Sequence, residues 1–282
     1  MDALHQSNTP SDISITPRNL TFDVEAALAT DWHSDEAFRT AFFNALSIMF
    51  PVGEQQFIDS VKTYREKITD PALAAQVRGF TAQEAIHRRE HQKYNEALCA
   101  ARGYPLDALE APIRRRIAWA LKHMPPIVHL AATVAYEHWT AILADSLLRR
   151  PEVLKDAHPE MAALWRWHAI EESEHKAVAF DVYRAVGGTD NLRRRIMIFV
   201  TVQFFWDTFR HMRIMLRGAE GSRVKLWFNG LRYLLGTEGI LRGLGRPWLD
   251  FFKRDFHPWD HDNRQIVAEV TREMQLATPA TA

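Results

Sequence analysis

Cysteine is almost absent from this chain, because Cys99 is the only one among 282 residues. The chain therefore cannot form an internal disulfide or a thiolate metal cluster. Long apolar runs are missing too: the longest, residues 196–206, falls short of the roughly 18 residues that a membrane-spanning helix needs. The first residues carry neither the basic nor the apolar region of a secretory signal. Together these absences predict a cytoplasmic protein.

Alternating apolar and polar runs, the signal of strands, are also scarce, whereas helical periodicity dominates. The sequence predicts an all-α fold. A first helix begins near Ser34 and ends near Ile68, with a kink or π-bulge expected at Pro51 and Gly53. Further helices are predicted over about 72–102, 107–123, 127–150, 158–186, 190–217, 222–235 and 239–254.

The net charge is zero, but the charges are unevenly distributed. Residues 1–189 carry a net charge of −5, whereas residues 190–254 contain thirteen Lys or Arg and five Asp or Glu, a net charge of +8. A change of this size suggests a change of role. We predict a flexible lead-in over 1–33, a helical bundle over 34–188, and a basic, aromatic-rich helical extension over 189–282 that packs on the bundle.

One short stretch, FTAQEAIHRREHQKYNEAL at 80–98, carries an unusual helical face. Glu84, His87 and His91 are spaced by three and four residues, so a helix places them on one side. The same face continues through Tyr94 and Leu98, which predicts that it points inward. Burying unpaired polar groups costs several kcal/mol, on the order of 2–7 for each group. A bound metal would compensate for that cost.

The same Glu-x-x-His pair recurs at Glu172 and His175, and two single glutamates, Glu54 and Glu137, lie on the remaining long helices. Two single carboxylates and two Glu-x-x-His pairs form the ligand set of a carboxylate-bridged dinuclear site in a four-helix bundle. Four carboxylates balance two divalent cations. We therefore predict two iron ions, or manganese or a mixed pair, bound by Glu54, Glu84, His87, Glu137, Glu172 and His175.

Three further side chains are candidate catalytic residues. His91 lies one turn beyond His87, and His168 lies one turn before Glu172. Each is either an extra imidazole ligand or a hydrogen-bond partner of a ligand carboxylate. Thr140, one turn after Glu137, either forms a hydrogen bond with bound oxygen or simply packs against its neighbours.

The glutamates beside the motifs have a different orientation. Glu90, Glu171 and Glu174 lie about 100° or more away from the ligand face. We expect these three carboxylates to be solvated or paired at the surface.

These motifs carry a resemblance. Residues 35–186 resemble the ferritin-like di-iron carboxylate superfamily, and FPVGE, FTAQEAIHRREH, AYEHWTA, WHAIEESEHKAVAFDVY and FHPWD look like a bacterial family of predicted metal-dependent hydrolases. The narrower resemblance spans nearly the whole chain. It implies a ferritin-like four-helix bundle and the same six ligands.

The chemistry has several interpretations. Helix-borne Glu-x-x-His pairs are typical of proteins that react ferrous iron with dioxygen, so the leading hypothesis is an oxygenase or oxidase of a small hydrophobic substrate. Such an enzyme needs dioxygen and an electron donor as partners. The alternatives are a metal-dependent hydrolase, as the family description suggests, and a ferroxidase or iron-storage protein.

The basic segment 190–254 mixes Leu, Trp and Phe with Lys and Arg. Such helices can cap a bundle, form a homodimer contact or lie on a membrane or lipid surface. A nucleic-acid partner is not expected, since the basic residues do not form a stripe that follows phosphates.

Overall fold

The structure is a computed structural model that describes residues 9–10, 12–237 and 239–276. These residues form no β-strand, and an isolated β-bridge joins His33 to Ala157. The all-α prediction is therefore confirmed. The α-helices of the described residues are α1 (Glu25–Leu28), α2 (Ala37–Lys62), α3 (Pro71–Arg102), α4 (Leu106–His123), α5 (Pro126–Arg149), α6 (Pro159–His175), α7 (Val178–Ala185), α8 (Asp190–Met215), α9 (Arg223–Leu235), α10 (Gly245–Asp250) and α11 (Arg264–Glu273).

Local sequence determines where the long helices begin and end. The side chain of Asp70 accepts a hydrogen bond from the backbone N–H of Ala72 (2.9 Å), and Pro71 occupies the first turn of α3. Gly103 ends the same helix with φ of 67°, a left-handed conformation that glycine adopts without strain. Glu84 and His87 therefore lie well away from both ends of α3.

Three predicted helices differ from the structure. The first, predicted from near Ser34 to near Ile68, is α2 and ends at Lys62. The helix predicted over 158–186 is divided, since α6 ends at His175 and α7 begins at Val178. At the break, the Lys176 ammonium donates hydrogen bonds to the His261 carbonyl (2.7 Å) and to Asn263 (2.8 Å). These long-range contacts explain the turn. The helix predicted over 239–254 is only the short α10, and α11 was not predicted.

The bundle is built from pairs of packed helices. Helix α2 packs against α3, α5 packs against α6, and the two pairs contact each other. Helix α8 packs on both α2 and α5. Helix α2 continues as an α-helix through Pro51, so of the two predicted alternatives, a kink or a π-bulge, the π-bulge is wrong. The four helices that carry the predicted ligands thus surround one interior, and no helix among the described residues is long and apolar enough to cross a bilayer.

The predicted lead-in, residues 1–33, is not a detached segment where the structure describes it. Arg18, Leu28 and Trp32 are all buried. At Gly79 of α3, an added Cβ would lie 2.5 Å from the carbonyl oxygen of Ile15, so the segment crosses this helix in close contact. The described part of this segment therefore packs on the bundle, and the flexibility of residues 1–33 stays a prediction. Residues 1–8 and 11 lie outside the described residues.

Candidate metal centre

All six predicted ligands are buried in the bundle, where none is more than 3% exposed. Helix α2 supplies Glu54, α3 supplies Glu84 and His87, α5 supplies Glu137, and α6 supplies Glu172 and His175. The three- and four-residue spacings in α3 and α6 direct each pair to one side of its helix. The sequence pattern thus places one contribution from each helix in the same interior.

The ligands form groups that overlap. Donor atoms of Glu84, Glu137, Glu172 and His175 lie within 4.8 Å of one another, and so do donor atoms of Glu54, Glu84 and His87. Glu84 therefore belongs to both groups. Glu172 also lies within the same distance of His87, in a group that includes His168. These overlapping groups would hold two cations, with Glu84 and Glu172 each belonging to more than one group.

These side chains also account for nearly half of the buried side-chain polar atoms that lack a hydrogen-bond partner. Among the described residues, nineteen buried side-chain nitrogen or oxygen atoms have no hydrogen-bond partner, and nine of them belong to the six ligands. Both carboxylate oxygens of Glu54, Glu84 and Glu137 are in this state. Folded proteins seldom bury so many unsatisfied polar groups in one place. The donor set therefore fits metal cations.

Each ligand histidine is oriented by a partner behind it. His87 Nε2 lies 3.0 Å from Glu171 Oε2, which leaves Nδ1 directed toward Glu172. His175 Nδ1 lies 2.9 Å from Gln83 Oε1, which leaves Nε2 3.1 Å from Glu84. Hydrogen bonding of one ring nitrogen to a carboxylate or carbonyl is the usual way that proteins orient a metal-binding imidazole.

Arg18 of the N-terminal segment supports these partners. Its guanidinium lies 3.3 Å from Glu171 and 2.6 Å from Glu174, and Glu174 also accepts a hydrogen bond from Gln83 (2.9 Å). Glu90 is buried as well and pairs with Arg89 and Lys93. The expectation of solvation or pairing at the surface is wrong for Glu171 and Glu174, because both pair with the buried Arg18 beneath the N-terminal segment.

Electrostatics distinguish the carboxylates of the centre. Burial, together with the neighbouring carboxylates, raises the pKa of Glu54 and of Glu137 well above the ordinary value. Burial also raises the pKa of Glu84, with His175 opposing it. Burial would raise the pKa of Glu172 too, but the nearby histidines outweigh it and hold that pKa well below the ordinary value.

The pKa values of His87 and His175 are raised, because carboxylates lie beside both rings. Burial alone would lower the pKa of His87, but its hydrogen bonds with Glu171 and Glu172 outweigh burial and raise it to about 10. The same balance, through Glu172 and Glu84, raises the pKa of His175 well above its usual value. Without a metal ion, protons therefore occupy this interior in place of a cation.

A chain of hydrogen bonds leads from α3 and α2 to His168. The Asn95 amide N–H donates to the Ser47 carbonyl (2.8 Å), so its Oδ1 accepts from the Ser47 hydroxyl (2.7 Å). The Ser47 oxygen then accepts from His91 Nδ1 (2.9 Å), and His91 Nε2 accepts from His168 Nδ1 (3.1 Å). Since the proton of a neutral His168 is then on Nδ1, its Nε2 presents a lone pair 3.3 Å from Glu172.

A lone pair facing a carboxylate oxygen is repulsive unless a cation lies between them. That cation is either a metal ion or an additional proton on Nε2 of His168. Burial, followed by the effect of His87, lowers the pKa of His168 to about 4, which disfavours the additional proton. Burial and the neighbouring imidazoles also place the pKa of His91 well below its usual value. The chain therefore suits a metal ion beside His168.

A cavity of about 130 Å³ extends from the surface to Glu54. Its walls are mostly apolar and come from α2, α4, α5 and α8, including Met49, Phe50, Phe57, Ile113, Ile117, Tyr136, Phe199, Val200 and Phe204. Thr140 borders this cavity and a smaller one of about 30 Å³ beside His168. Its hydroxyl donates to the Glu137 carbonyl (3.1 Å), so this hydroxyl is satisfied by its own helix.

Sequence reasoning missed four residues that support the centre. Ser47 and Asn95 build the hydrogen-bond chain to His168. Gln83 is the hydrogen-bond partner of His175, and Arg18 holds Glu171, the partner of His87. Two of them leave a signal in the sequence: Ser47 interrupts an apolar run, and Gln83 directly precedes Glu84. Arg18 leaves none, since its contacts span more than 150 residues of chain.

Comparison with known proteins adds one finding. The model of a family described as predicted metal-dependent hydrolase matches residues 16–262, most of the chain. No curated protein and no solved structure matches the chain. The family match agrees with the metal dependence inferred from the ligands. The family match favours hydrolysis, and it does not support the oxygenase or oxidase reaction that the sequence motifs suggest.

Proposed function

The chain belongs to the family of predicted metal-dependent hydrolases, and on that premise we propose that it is a hydrolase with a two-metal centre. The nine unsatisfied polar atoms of Glu54, Glu84, His87, Glu137, Glu172 and His175 carry this proposal. We further propose that α2, α3, α5 and α6 form a ferritin-like four-helix bundle around the centre. His168 is proposed as a third imidazole ligand, because its Nε2 lone pair faces Glu172.

A divalent cation held by these residues would act as a Lewis acid and would lower the pKa of its bound water to near neutrality. The protein supplies the geometry. Glu171 and Gln83 fix the two ligand imidazoles, and the chain through Ser47 and His91 fixes the ring of His168. Phe50 stacks on the His168 ring, with ring centroids 4.9 Å apart, and separates it from the larger cavity. These contacts leave the cavity as the route by which a substrate reaches Glu54.

The cavity determines the substrate class that we propose, a small apolar molecule with one polar reacting group. The apolar walls bind the hydrocarbon part of the substrate. Each Å² of apolar surface that is removed from water stabilises the complex by about 25 cal/mol. The polar group would lie at the inner end, beside Glu54. Arg116 and Asp207, which form an ion pair on the cavity wall, add polar groups that can orient the substrate.

Anaerobic assays test hydrolysis directly. The full chain, reconstituted with Zn²⁺ or Mn²⁺ without oxygen, is expected to cleave p-nitrophenyl esters, and faster with longer acyl chains. Glu84→Gln should abolish the activity, and Glu96→Gln, an exposed change on the same helix, should not. Metal-loaded protein that cleaves no ester or amide without oxygen would contradict the proposal.

A second candidate is oxidation of the same substrate class by dioxygen, as an oxygenase or oxidase with two iron ions and an external electron donor. The observation that favours it is the donor set, two single glutamates and two Glu-x-x-His pairs on four helices. Ferrous-loaded protein would then consume oxygen in a substrate-dependent way. Iron storage predicts a large cage instead, which a native mass measurement would reveal.

A further inference from the structure

The exposed large apolar side chains are confined to one part of the molecule. Among the described residues there are fourteen of them, and none lies on the ligand-bearing helices α2, α3, α5 and α6. They belong to α4 and the residue after it, α8, α9 and α10: Trp119, Leu121, Met124, Ile198, Phe199, Val202, Phe205, Trp206, Phe209, Val224, Phe228, Leu231, Leu235 and Leu249. Contiguous exposed apolar surface usually marks an interaction site.

Helix α8 carries the densest part, which we call the α8 stripe: Ile198, Phe199, Val202, Phe205, Trp206 and Phe209. Their spacing of three and four residues places them on one face, about 17 Å long. Every exposed residue between Arg195 and Arg213 belongs to the stripe, and these two exposed arginines lie at its ends. The pattern is an apolar face bounded by positive charge.

Helix α9 extends this surface. The Trp227 ring lies 4.7 Å from the Phe209 ring, so the exposed apolar residues of α9 begin beside the end of the α8 stripe. Lys225 and Arg232 are exposed on α9. Residues 190–254 together carry a net charge of +8.

We propose that the α8 stripe docks this protein on an anionic lipid surface. Apolar side chains of an amphipathic helix enter the boundary between headgroups and acyl chains, and arginines at its ends contact phosphates. A second copy of this chain is disfavoured, because a symmetric contact would bring together the terminal arginines of two stripes, both within segments of net charge +8. The positive charge favours an anionic bilayer, whose charge complements Arg195 and Arg213.

The cavity connects this surface to the metal centre. Phe199 is half exposed in the α8 stripe and also lines the cavity that ends at Glu54. An amphiphile in the bilayer could therefore pass its acyl chain from the lipid into the cavity. This part of the proposal rests on the proposed function and names its substrate class, a membrane-soluble molecule with an acyl chain. The docking itself does not depend on the metal centre.

Co-sedimentation of the full chain with vesicles tests the docking. Vesicles of equal parts phosphatidylglycerol and phosphatidylcholine should bind the protein, and phosphatidylcholine alone should bind it less. Binding should weaken between about 0.1 M and 1 M salt, where the screening length falls from about 10 Å to about 3 Å. Arg195→Gln with Arg213→Gln should weaken binding about twenty-five-fold, since each arginine near an anionic surface contributes about fivefold.

Two further variants separate the stripe from general effects. Val202→Ser with Trp206→Ser should reduce binding on the order of tenfold, because both side chains are exposed and neither lines the cavity. Lys62→Gln with Arg78→Gln removes the same charge from exposed positions on α2 and α3 and should leave binding unchanged. Equal losses in both charge pairs would overturn the proposal, since net charge alone would then explain the binding.

The remaining outcomes are equally decisive. Absence of binding to anionic vesicles at low salt overturns docking on lipid. So does a dimer in solution that Val202→Ser with Trp206→Ser dissociates, because the stripe would then be covered by a second copy. Glu84→Gln, which is expected to impair metal binding, should bind vesicles as the unchanged chain does. Docking and hydrolysis can thus fail separately.

Discussion

Two regions of the molecule contain side chains that do not suit their surroundings. One is the interior between α2, α3, α5 and α6, and the other is the outer face of α8. Inside, buried carboxylate oxygens of Glu54, Glu84 and Glu137 have no hydrogen-bond partner. Outside, the six apolar side chains of the α8 stripe face solvent. A bound cation would compensate the buried carboxylates, and an apolar partner would remove the exposed apolar side chains from water. The interior therefore indicates a metal ligand and the outer face an apolar one, because each would be stabilised by a ligand that suits its side chains.

The two imbalances differ in size. A buried charge without a partner costs several kcal/mol, typically about 3–5 when one member of a buried pair is removed. An exposed apolar side chain costs little by itself, and surface substitutions usually change stability by within about 0.5 kcal/mol. Changes to the interior should therefore produce the larger effects.

The largest effect is expected for Glu84, which belongs to both ligand groups. Glu84→Gln keeps the shape of the side chain and removes a charge that both ligand groups share. Metal content, measured by elemental analysis after reconstitution, should fall from two ions per chain to at most one. Glu96→Gln is the control. Two ions retained in Glu84→Gln would show that the interior is not the metal centre described here.

The next effect concerns the charge that supports the centre from outside. Arg18→Met leaves Glu171 and Glu174 buried without their guanidinium, which should cost about 3–5 kcal/mol in the free energy of unfolding. Chemical denaturation of the metal-free protein measures the loss. Arg88→Met, at an exposed position of α3, should change it by less than about 0.5 kcal/mol. A similar, small loss in both variants would refute the role of Arg18.

Dependence on pH separates protons from metal. The raised pKa values of Glu54, Glu84 and Glu137 stabilise the metal-free fold at low pH, and that contribution is lost as pH rises through them. His87 and His175 act in the same direction, and Glu172 acts in the opposite one. The increase in Tm on adding metal should therefore be larger at about pH 8 than at about pH 5.5.

The size of that increase follows from linkage. Metal at one hundred times its Kd stabilises the fold by about 2.7 kcal/mol, or on the order of 5–10 °C in Tm. Differential scanning fluorimetry with and without chelator provides the measurement at each pH. An increase that shrinks as pH rises would contradict the exchange of protons for metal.

A smaller effect is expected at His168. His168→Ala should weaken binding of one metal ion about 10–100-fold and change the visible spectrum of the Co²⁺-loaded protein. His91→Ala should change the spectrum less but measurably, because it removes the hydrogen bond that orients His168. His138→Ala is the control, since its ring bonds the Pro247 carbonyl outside the centre. Identical spectra in all three variants would rule out ligation by His168.

The smallest effect on folding is expected at the α8 stripe. Val202→Ser with Trp206→Ser should leave the free energy of unfolding within about 0.5 kcal/mol per site. Val134→Ser, which places a hydroxyl in the core, should cost more, about 1–3 kcal/mol. If the surface pair destabilised the fold as much as the core change, the stripe would be part of the packing.

Much of the site could be predicted from sequence, because helical spacing is local. Glu84 with His87, and Glu172 with His175, must share a helix face wherever the helix lies, and the structure brings all six predicted ligands together. The long helices α3, α4 and α5 begin and end within a residue or so of their predicted limits, since a proline marks the start of each one. Whether the six residues bind metal stays a prediction.

What could not be predicted depends on distant parts of the chain. A helical pattern shows that Glu171 and Glu174 face away from the ligands, but not that the N-terminal segment covers that side. The break after His175 follows from contacts of Lys176 with residues of the C-terminal region, more than 80 positions away. Neither feature has a local signal.

The N-terminal segment has a consequence for kinetics. Arg18 closes over the carboxylate that orients His87, and the chain before it runs tightly against Gly79. A cation could leave on that side only when this segment detaches from α3 and α6. The rate of metal exchange should then be limited by local opening, with a strong temperature dependence and little dependence on chelator concentration. Amide hydrogens of the segment should exchange with deuterium on the same timescale as the metal is lost.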